Sequence, residues 1–343
     1  MPSPKKTKST QAQSRSAYRI GFDLGGTKML AGVIDENNKV IGTHKMESLG
    51  YKGSRKGLQR MILTVRKAMK AAGVTPTQIN SIGIACPAVV DMERGILLEA
   101  ASLGWNKVAV GLALQKIFKT KVAVLNDVDA GTYAEYYLGA GKGARTVLGV
   151  FPGTGVGGGC VYDGKLIRGR KNSAMEIGNM RLLNAALTGN RLEPQRMEDL
   201  SSRLAMAINA AREAYRGNAP HLMKKIGTDL KTIKSRALFD SVKNGDKAVE
   251  EIVDNAIALL GISVAGVVDL LAPDRIVLGG GLAERFLEKY KKGLNKALRL
   301  YACPDLAKGV KICPASLGSD AVLLGASLYA EEHGKTFNIT KKL

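Results

Sequence analysis

The strongest constraint in the sequence is a block that occurs twice. Tyr18–Phe22 is a short apolar run, broken by Asp23-Leu-Gly-Gly-Thr27. A second run, Met29–Ile34, ends at the turn Asp35-Glu-Asn-Asn38, and Val40–Met46 returns. In the second half, Thr146–Phe151 is interrupted by Pro152-Gly-Thr-Gly-Val-Gly-Gly-Gly159, and Cys160–Tyr162, a turn at Asp163-Gly164 and Lys165–Arg168 follow. Laying Gly21–Asp35 over Gly149–Asp163 matches Gly21 with Gly149, Gly25 with Gly153, Val33 with Val161 and Asp35 with Asp163. Four identities in fifteen positions are few. Strand, glycine turn, strand and hairpin nevertheless recur in one order, which reads as an internal duplication. The expected fold is α/β: two related domains facing each other across a cleft, each offering a glycine turn to the gap.

The rest of the chain fits that frame. Residues 54–72 carry Leu58, Met61, Ile62, Val65 and Met69 at helical spacing. Strands are expected at Ser81–Ala85 and Val122–Leu125, with a helix from Ala130 to Tyr137. Residues 197–260 read as largely helical with a break at Gly217-Asn-Ala-Pro220, and a buried helix continues from Gly261 to Leu271. A strand at Arg275–Leu278, a helix at Leu282–Leu298 and a small-residue helix at Ala321–Ala330 complete the pattern. The expected division is a basic, disordered tail at 1–17, a small N-terminal domain at 18–126 completed by a helix at 319–332, and a larger domain at 127–318.

The formal net charge is +21. Lys5, Lys6, Lys8, Arg15, Lys335, Lys341 and Lys342 lie in the terminal stretches, which leaves +14 on the body. A field of that sign attracts polyanions such as nucleotides or polyphosphate, and a solvated basic surface gives the same count. Aromatic residues are only 5%, and no nucleic-acid recognition module is visible, so nucleic acid is not an expected partner. Cys86, Cys160, Cys303 and Cys313 have neither metal nor disulfide-framework spacing and are expected as buried thiols of a cytoplasmic protein. No uncharged run of membrane-spanning length is read, and residues 1–17 lack the apolar core of a secretory signal.

Leu24–Thr27, Pro152–Gly159 and Gly279–Gly281 are three glycine turns, each directly after an apolar run. Without side chains in the way, backbone N–H groups at such turns can cradle phosphate. Gly153, Gly155 and Gly158 satisfy the dinucleotide fingerprint, but a strand follows instead of the required helix, and no P-loop is present. Asp23 beside the first turn could orient Mg²⁺ through a water or close an Asx-type turn. Asp127 after the apolar run Val122–Leu125 could cap the helix or point a carboxylate into the cleft as a base.

In order, Gly21-Phe-Asp-Leu-Gly-Gly-Thr-Lys28, Leu125-Asn-Asp127, Gly153-Thr-Gly-Val-Gly-Gly-Gly159, Glu176-Ile-Gly178 and Ile276-Val-Leu-Gly-Gly-Gly-Leu282 together resemble the ROK family (repressors, open reading frames and kinases) of the actin/hexokinase-type, ribonuclease H-like ATPase fold. The resemblance runs from Tyr18 to Ala330. It implies an ATP- and Mg²⁺-dependent sugar kinase, glucokinase-like, phosphorylating the C6 hydroxyl of a hexose and forming a homodimer. Asp23, Gly25, Gly26, Thr27 and Lys28 resemble the first phosphate motif, Gly153, Thr154 and Gly155 the second, and Gly279, Gly280 and Gly281 the adenosine-side motif. Asp127 resembles the catalytic base. Asn126, Glu176 and Glu198 resemble sugar-binding residues, with Ser102 and Asn179 as auxiliaries.

The family's zinc motif is missing. Asn179 stands where a histidine follows E-x-G, and Gly189-Asn-Arg-Leu-Glu-Pro-Gln-Arg-Met-Glu198 keeps only the final Glu of the cysteine-rich segment. No zinc is therefore expected, and a shifted sugar preference is. Polyphosphate-using relatives also lack those cysteines, which leaves polyphosphate as an alternative donor. Repressor relatives place a helix-turn-helix domain before the kinase-like body, for which 17 residues are too few; a non-catalytic sugar sensor is the remaining alternative.

Overall fold

Tyr18–Leu24 (β1), Lys28–Ile34 (β2) and Val40–Glu47 (β3) pair antiparallel in turn, as their short connections require. Helix α1 (Ser54–Ala72) leads to β4 (Ile79–Cys86), parallel to β1. A small antiparallel sheet follows: β5 (Val89–Asp91), β6 (Ile96–Ala100) and β7 (Trp105–Val108). Helix α2 (Val110–Phe118) then returns the chain to β8 (Lys121–Asn126), parallel to β4. The sheet order is β3-β2-β1-β4-β8. This computed structural model describes residues 18–170, 174–183 and 194–337; the expected tail at 1–17, the lysines at 341 and 342, and 189–193 of the altered zinc segment lie outside them.

Helix α3 (Asp127–Tyr137) ends the first half and leads into the second. There β9 (Thr146–Pro152), β10 (Val156–Tyr162) and β11 (Lys165–Leu166) pair antiparallel. An insertion carries the paired strands β12 (Arg181–Leu183) and β13 (Pro194–Arg196). Five helices follow: α4 (Met197–Ser201), α5 (Arg203–Tyr215), α6 (Pro220–Lys225), α7 (Ser235–Lys243) and α8 (Lys247–Leu271). Strand β14 (Arg275–Leu278) lies parallel to β9; after α9 (Gly280–Arg285), α10 (Leu287–Tyr301) and α11 (Pro304–Ala307), β15 (Lys311–Pro314) lies parallel to β14. The order β11-β10-β9-β14-β15 repeats that of the first sheet strand for strand, so the duplication extends to topology. Helix α12 (Ala321–His333) ends the fold.

The last helix of each half crosses to the other sheet. Gly32, Gly21, Gly83 and Ala123 stand side by side across β2, β1, β4 and β8, a row of small residues on which α12 lies. A Cβ on Gly21 would sit 2.1 Å from the Leu323 carbonyl oxygen, and one on Gly83 1.8 Å from that of Ala326. In the second sheet, Gly149 and Gly159 pair across β9 and β10 and admit α3: their Cβ positions fall 2.2 and 2.5 Å from Thr132 Oγ1. The two helices also touch directly, with Gly325 of α12 against the Ala130 carbonyl. The repeat glycines Gly21 and Gly149 are therefore packing positions, one beneath each crossing helix.

Glu135 on α3 is fully buried, and its charge is met by hydrogen bonds. Oε1 accepts from the backbone N–H groups of Ser316 (2.8 Å) and Leu317 (2.9 Å); Oε2 accepts from Ala140 N–H (2.8 Å) and Ser316 Oγ (3.1 Å). It fixes α3 to the connection leading into α12. Glu135→Ala strands three backbone donors and should cost about 3–5 kcal/mol in urea unfolding.

Some expectations change. The glycine turn at 152–159 is shorter than read, because Val156–Tyr162 is all strand. Gly157 and Gly158 lack side chains because Val128 and the Met175–Ile177 segment occupy that space. The helix expected at Leu282–Leu298 is two helices, interrupted by buried Phe286, whose ring meets Phe239 edge-on at 5.4 Å. Against the expectation of no membrane-length apolar run, α8 is long and apolar enough to cross a membrane by length and composition. Val253, Ile257, Leu260 and Val264 of this helix are core residues. Cys86 and Cys160 are buried as expected, whereas Cys303 is exposed and Cys313 half-buried.

Candidate active site

Three parallel neighbours bring the acids together. In register, Asp23 lies beside Ala85 of β4, Ala85 beside Leu125 of β8, and Cys86 beside Asn126, so all end at one edge of the sheet. Asn126 caps α3: its Oδ1 accepts from the N–H groups of Val128 (2.8 Å) and Asp129 (3.4 Å). The capping role weighed for Asp127 thus belongs to its neighbour, and Asp127 is the first helical residue, with Oδ1 3.0 Å from Val128 N. Among the described residues no backbone N–H closes an Asx turn on Asp23.

These carboxyls are destabilised as anions. Burial, then the Asp127 charge, pushes Asp23 up to about 6 against the opposing pull of Lys45. Burial, with the Glu176 charge adding to it, also raises Asp127 above the ordinary carboxylate range. The Cys86 thiol is raised by burial and by both aspartates, so it stays protonated. Mutual repulsion of Asp23 and Asp127 suits a nearby cation. Among the described residues no group of three or more His, Cys, Asp or Glu side chains converges to hold a metal ion. In the ligand-free protein, the raised Asp23 group contributes stability that is complete below its unfolded value near 4 and lost as pH rises through about 6. Asp23→Asn should therefore stabilise the free protein by roughly 2 kcal/mol near neutral pH and by nothing near pH 4, read by thermal melts at both pH values.

The first glycine turn is pinned from β3: Ser48 N donates to Thr27 O at 2.9 Å and Ser48 Oγ to Gly25 O at 2.5 Å. Ser102 presses on it, since a Cβ on Gly26 would lie 2.7 Å from the Ser102 Cβ. Thr27 and Lys28 are exposed beyond it. The second turn closes with Gly153 N to Gly155 O at 2.9 Å, and Arg203 holds it through its N–H to Gly153 O (2.8 Å) and Nη2 to Thr154 Oγ1 (3.3 Å).

Glu198 reaches that turn as well, its Oε2 2.8 Å from where a Gly155 Cβ would stand. Arg196 Nη1 pairs with Glu198 Oε1 at 2.9 Å while its Nε and Nη2 grip Asp199. Left-handed Met175 (φ 59°) turns the chain into Glu176. The Asn179 amide donates to Glu176 Oε2 at 3.3 Å, and Gly178 packs between the Val156 carbonyl and Glu198. Glu176, Asn179, Glu198 and Gly155 thus gather, and the Glu176 charge reaches Asp127.

The third turn behaves differently. Gly279 lies against the Phe151 ring and Gly280 (φ 83°) against the Pro152 carbonyl, so those two glycines answer to packing and backbone conformation. Gly281 instead opens onto a cleft of about 370 Å³ with Thr154, Arg203, Lys234, Arg236 and Arg285. Sequence reasoning missed Arg203 and also Asp129, a 4% exposed acid raised to about 7 by burial and by the Glu176 and Asp127 charges. The second acid of Asn126-Asp-Val-Asp129 was visible, but its burial follows from α3 crossing to the other sheet.

Comparisons with known proteins agree with this architecture. The chain is 27% identical to the glucokinase of Thermotoga maritima over 91% of its length and 97% of that protein. It is 30% identical to the N-acetyl-D-glucosamine kinase of Vibrio cholerae, over 84% and 93%. The structure of a ROK family glucokinase from Streptomyces griseus in complex with glucose and AMPPNP superposes with a TM-score of 0.75 at 26% identity, covering 90% of this chain and 98% of that one. It places this chain in the actin/hexokinase-like fold. The ROK family profile matches residues 19–333, from the first strand to the helix that closes over it, and the chain belongs to the ROK family.

Proposed function

We propose that the chain transfers the γ-phosphoryl group of ATP to a hexose hydroxyl, the C6 hydroxyl of glucose being the acceptor suggested by the glucokinase relatives. The observation that carries this reading is a half-buried carboxylate, Asp127, at a strand–helix junction, held above the ordinary carboxylate range and within electrostatic reach of Asp23 and Glu176. In this reading Asp127 takes the hydroxyl proton as the phosphoryl group leaves. Its raised affinity for protons suits that work. The Asn126 amide, Glu176 and Glu198 hold sugar hydroxyls, with Asn179 steadying Glu176 and Ser102 closing the first turn. Backbone N–H groups of Gly25–Thr27 and Gly153–Gly155 hold phosphate oxygens, and the Gly279–Gly281 side faces the adenosine. Asp23 orients Mg²⁺ through water; the ion, when bound, neutralises charge on the phosphates. Since the transition state is loose, positioning and charge supply most of the acceleration.

A second donor is favoured by one observation. Arg203, Lys234, Arg285 and Arg236 (itself paired with Asp240 at 3.5 Å) outnumber the single acid Glu284 around the cleft beside Thr154 and would suit inorganic polyphosphate. Purified protein should be assayed for ADP release from Mg·ATP across a hexose panel that includes N-acetylglucosamine, beside sugar-phosphate formation from polyphosphate. Sugar-dependent ADP release supports the ATP reading and identifies the acceptor. Product only from polyphosphate replaces the donor, and sugar binding without turnover leaves a sensor.

A further inference from the structure

A second cavity lies away from the glycine turns. It measures about 360 Å³, within the range of small-molecule sites, and opens where β8 and α12 meet the segment after β11. Arg168 enters it from the second half of the chain. Its Nη1 donates to Tyr329 Oη at 2.8 Å, and its guanidinium carbon stands 6.0 Å from the centre of that ring. Among the described residues no carboxylate lies within 4.0 Å of this guanidinium.

The acids on the same walls are already engaged. Glu93 pairs with Lys335, and Glu332 accepts from Tyr133 Oη at 2.7 Å with His333 Nε2 3.7 Å away. The cavity therefore combines an arginine fork that makes no direct ion pair, although its charge acts on Glu93, with two carboxylates whose oxygens retain acceptor capacity. A fork of that kind matches a phosphoryl group, and carboxylates match hydroxyls. Its position is not neutral for catalysis. Arg168 ties the second half of the chain to α12, and its charge is felt by Asp129, the buried acid beside Asp127 and Glu176.

We propose that this cavity binds a phosphate monoester of a sugar, the chemical class of the product formed in the cleft, with the phosphoryl group on Arg168 and Lys335 and hydroxyls on Glu93 and Glu332. Occupancy draws Arg168 away from Tyr329, loosens the tie between the two halves and slows turnover. The choice of a sugar phosphate rests on the kinase reading; the cavity and its arginine do not.

Calorimetry and kinetics test the two parts separately. Glucose 6-phosphate and inorganic phosphate are titrated into the full chain, into Arg168→Gln and into Lys335→Ala. Loss of the charged contacts should weaken glucose 6-phosphate binding about tenfold or more in either variant. In kinetics, glucose 6-phosphate should inhibit the wild type non-competitively with glucose. Lys335→Ala, outside the catalytic machinery, should keep the basal rate and lose that inhibition. Inorganic phosphate binding as tightly as the ester would overturn the sugar-phosphate assignment. Purely competitive inhibition, unchanged in both variants, would overturn the site, with product binding in the cleft alone. Absence of sugar-dependent ADP release in the wild type would sink the kinase reading, and the calorimetric comparison would still decide the cavity.

Discussion

Asp127→Asn should lower sugar-dependent phosphoryl transfer roughly 10³-fold, within the usual range for loss of a general base, while nucleotide affinity changes little. The substitution keeps the shape of the side chain and removes its capacity to take a proton. Because Asn126, not Asp127, caps α3, the helix start survives the change. The same residue sets a pH signature. Burial and Glu176 raise Asp127, so kcat/KM should fall on the acidic side at a pH above the ordinary carboxylate range, and the residual rate of the Asn variant should lack that limb. Cys86 cannot substitute as base, since burial and both aspartates keep its thiol protonated. A variant turning over at near-wild-type kcat would remove Asp127 from the mechanism.

Gly83→Ala should be among the most damaging of small changes to the core. Its added methyl would stand 1.8 Å from the Ala326 carbonyl oxygen and 2.9 Å from Ser327 N, both backbone atoms that no rotamer change can move aside. Either α12 lifts off β1 and β4 or the sheet bends, and both expose the fully buried Leu323 and Ala326 of α12. A cost of about 3 kcal/mol or more is expected, at the upper end for overpacking because backbone meets backbone. Gly266→Ala is the contrasting control. It has the same chemistry inside α8, with no positive φ and nothing within 4 Å of the added methyl, so it should leave stability unchanged or raise it by about 0.5–1 kcal/mol. Equal loss of Tm in the two would refute the close-packing explanation.

Much of this was legible in the residues. Apolar runs ending at glycine turns gave β1, β9 and β14 nearly to the residue, and the run between the first glycine turn and the Asp35–Asn38 turn gave β2, because these strands are buried. Matching Gly21 to Gly149 gave the duplication, though for a reason invisible along the chain: both lie under a helix arriving from the other half. The β5–β7 sheet was not read, since its strands are three to five residues long and too short for a period to emerge. The glycine run 157–159 misled because packing against Val128 and Ile177 demands absent side chains just as a phosphate would. In the candidate site, where the Asp127 charge acts on Asp23 as the Glu176 charge acts on Asp127, Asp23 and Asp127 were singled out beside the turns and Glu176 and Glu198 by the family resemblance. Asp129 and Arg203 were not, because what marks them is burial and a long-range contact with Thr154.

The crossing of α3 and α12 has a consequence for how such a chain can be divided. Cut after Tyr137, the first half would keep its five strands and α3 but lose the cover over Gly21 and Gly83, since that cover is α12. The second half would carry a helix shaped for the row its partner owns. Neither piece completes itself, yet each holds what the other lacks. Two such half-chains would be obligate partners by reciprocal exchange, in the manner of a domain-swapped dimer. Fusing them end to end makes that exchange permanent within one chain.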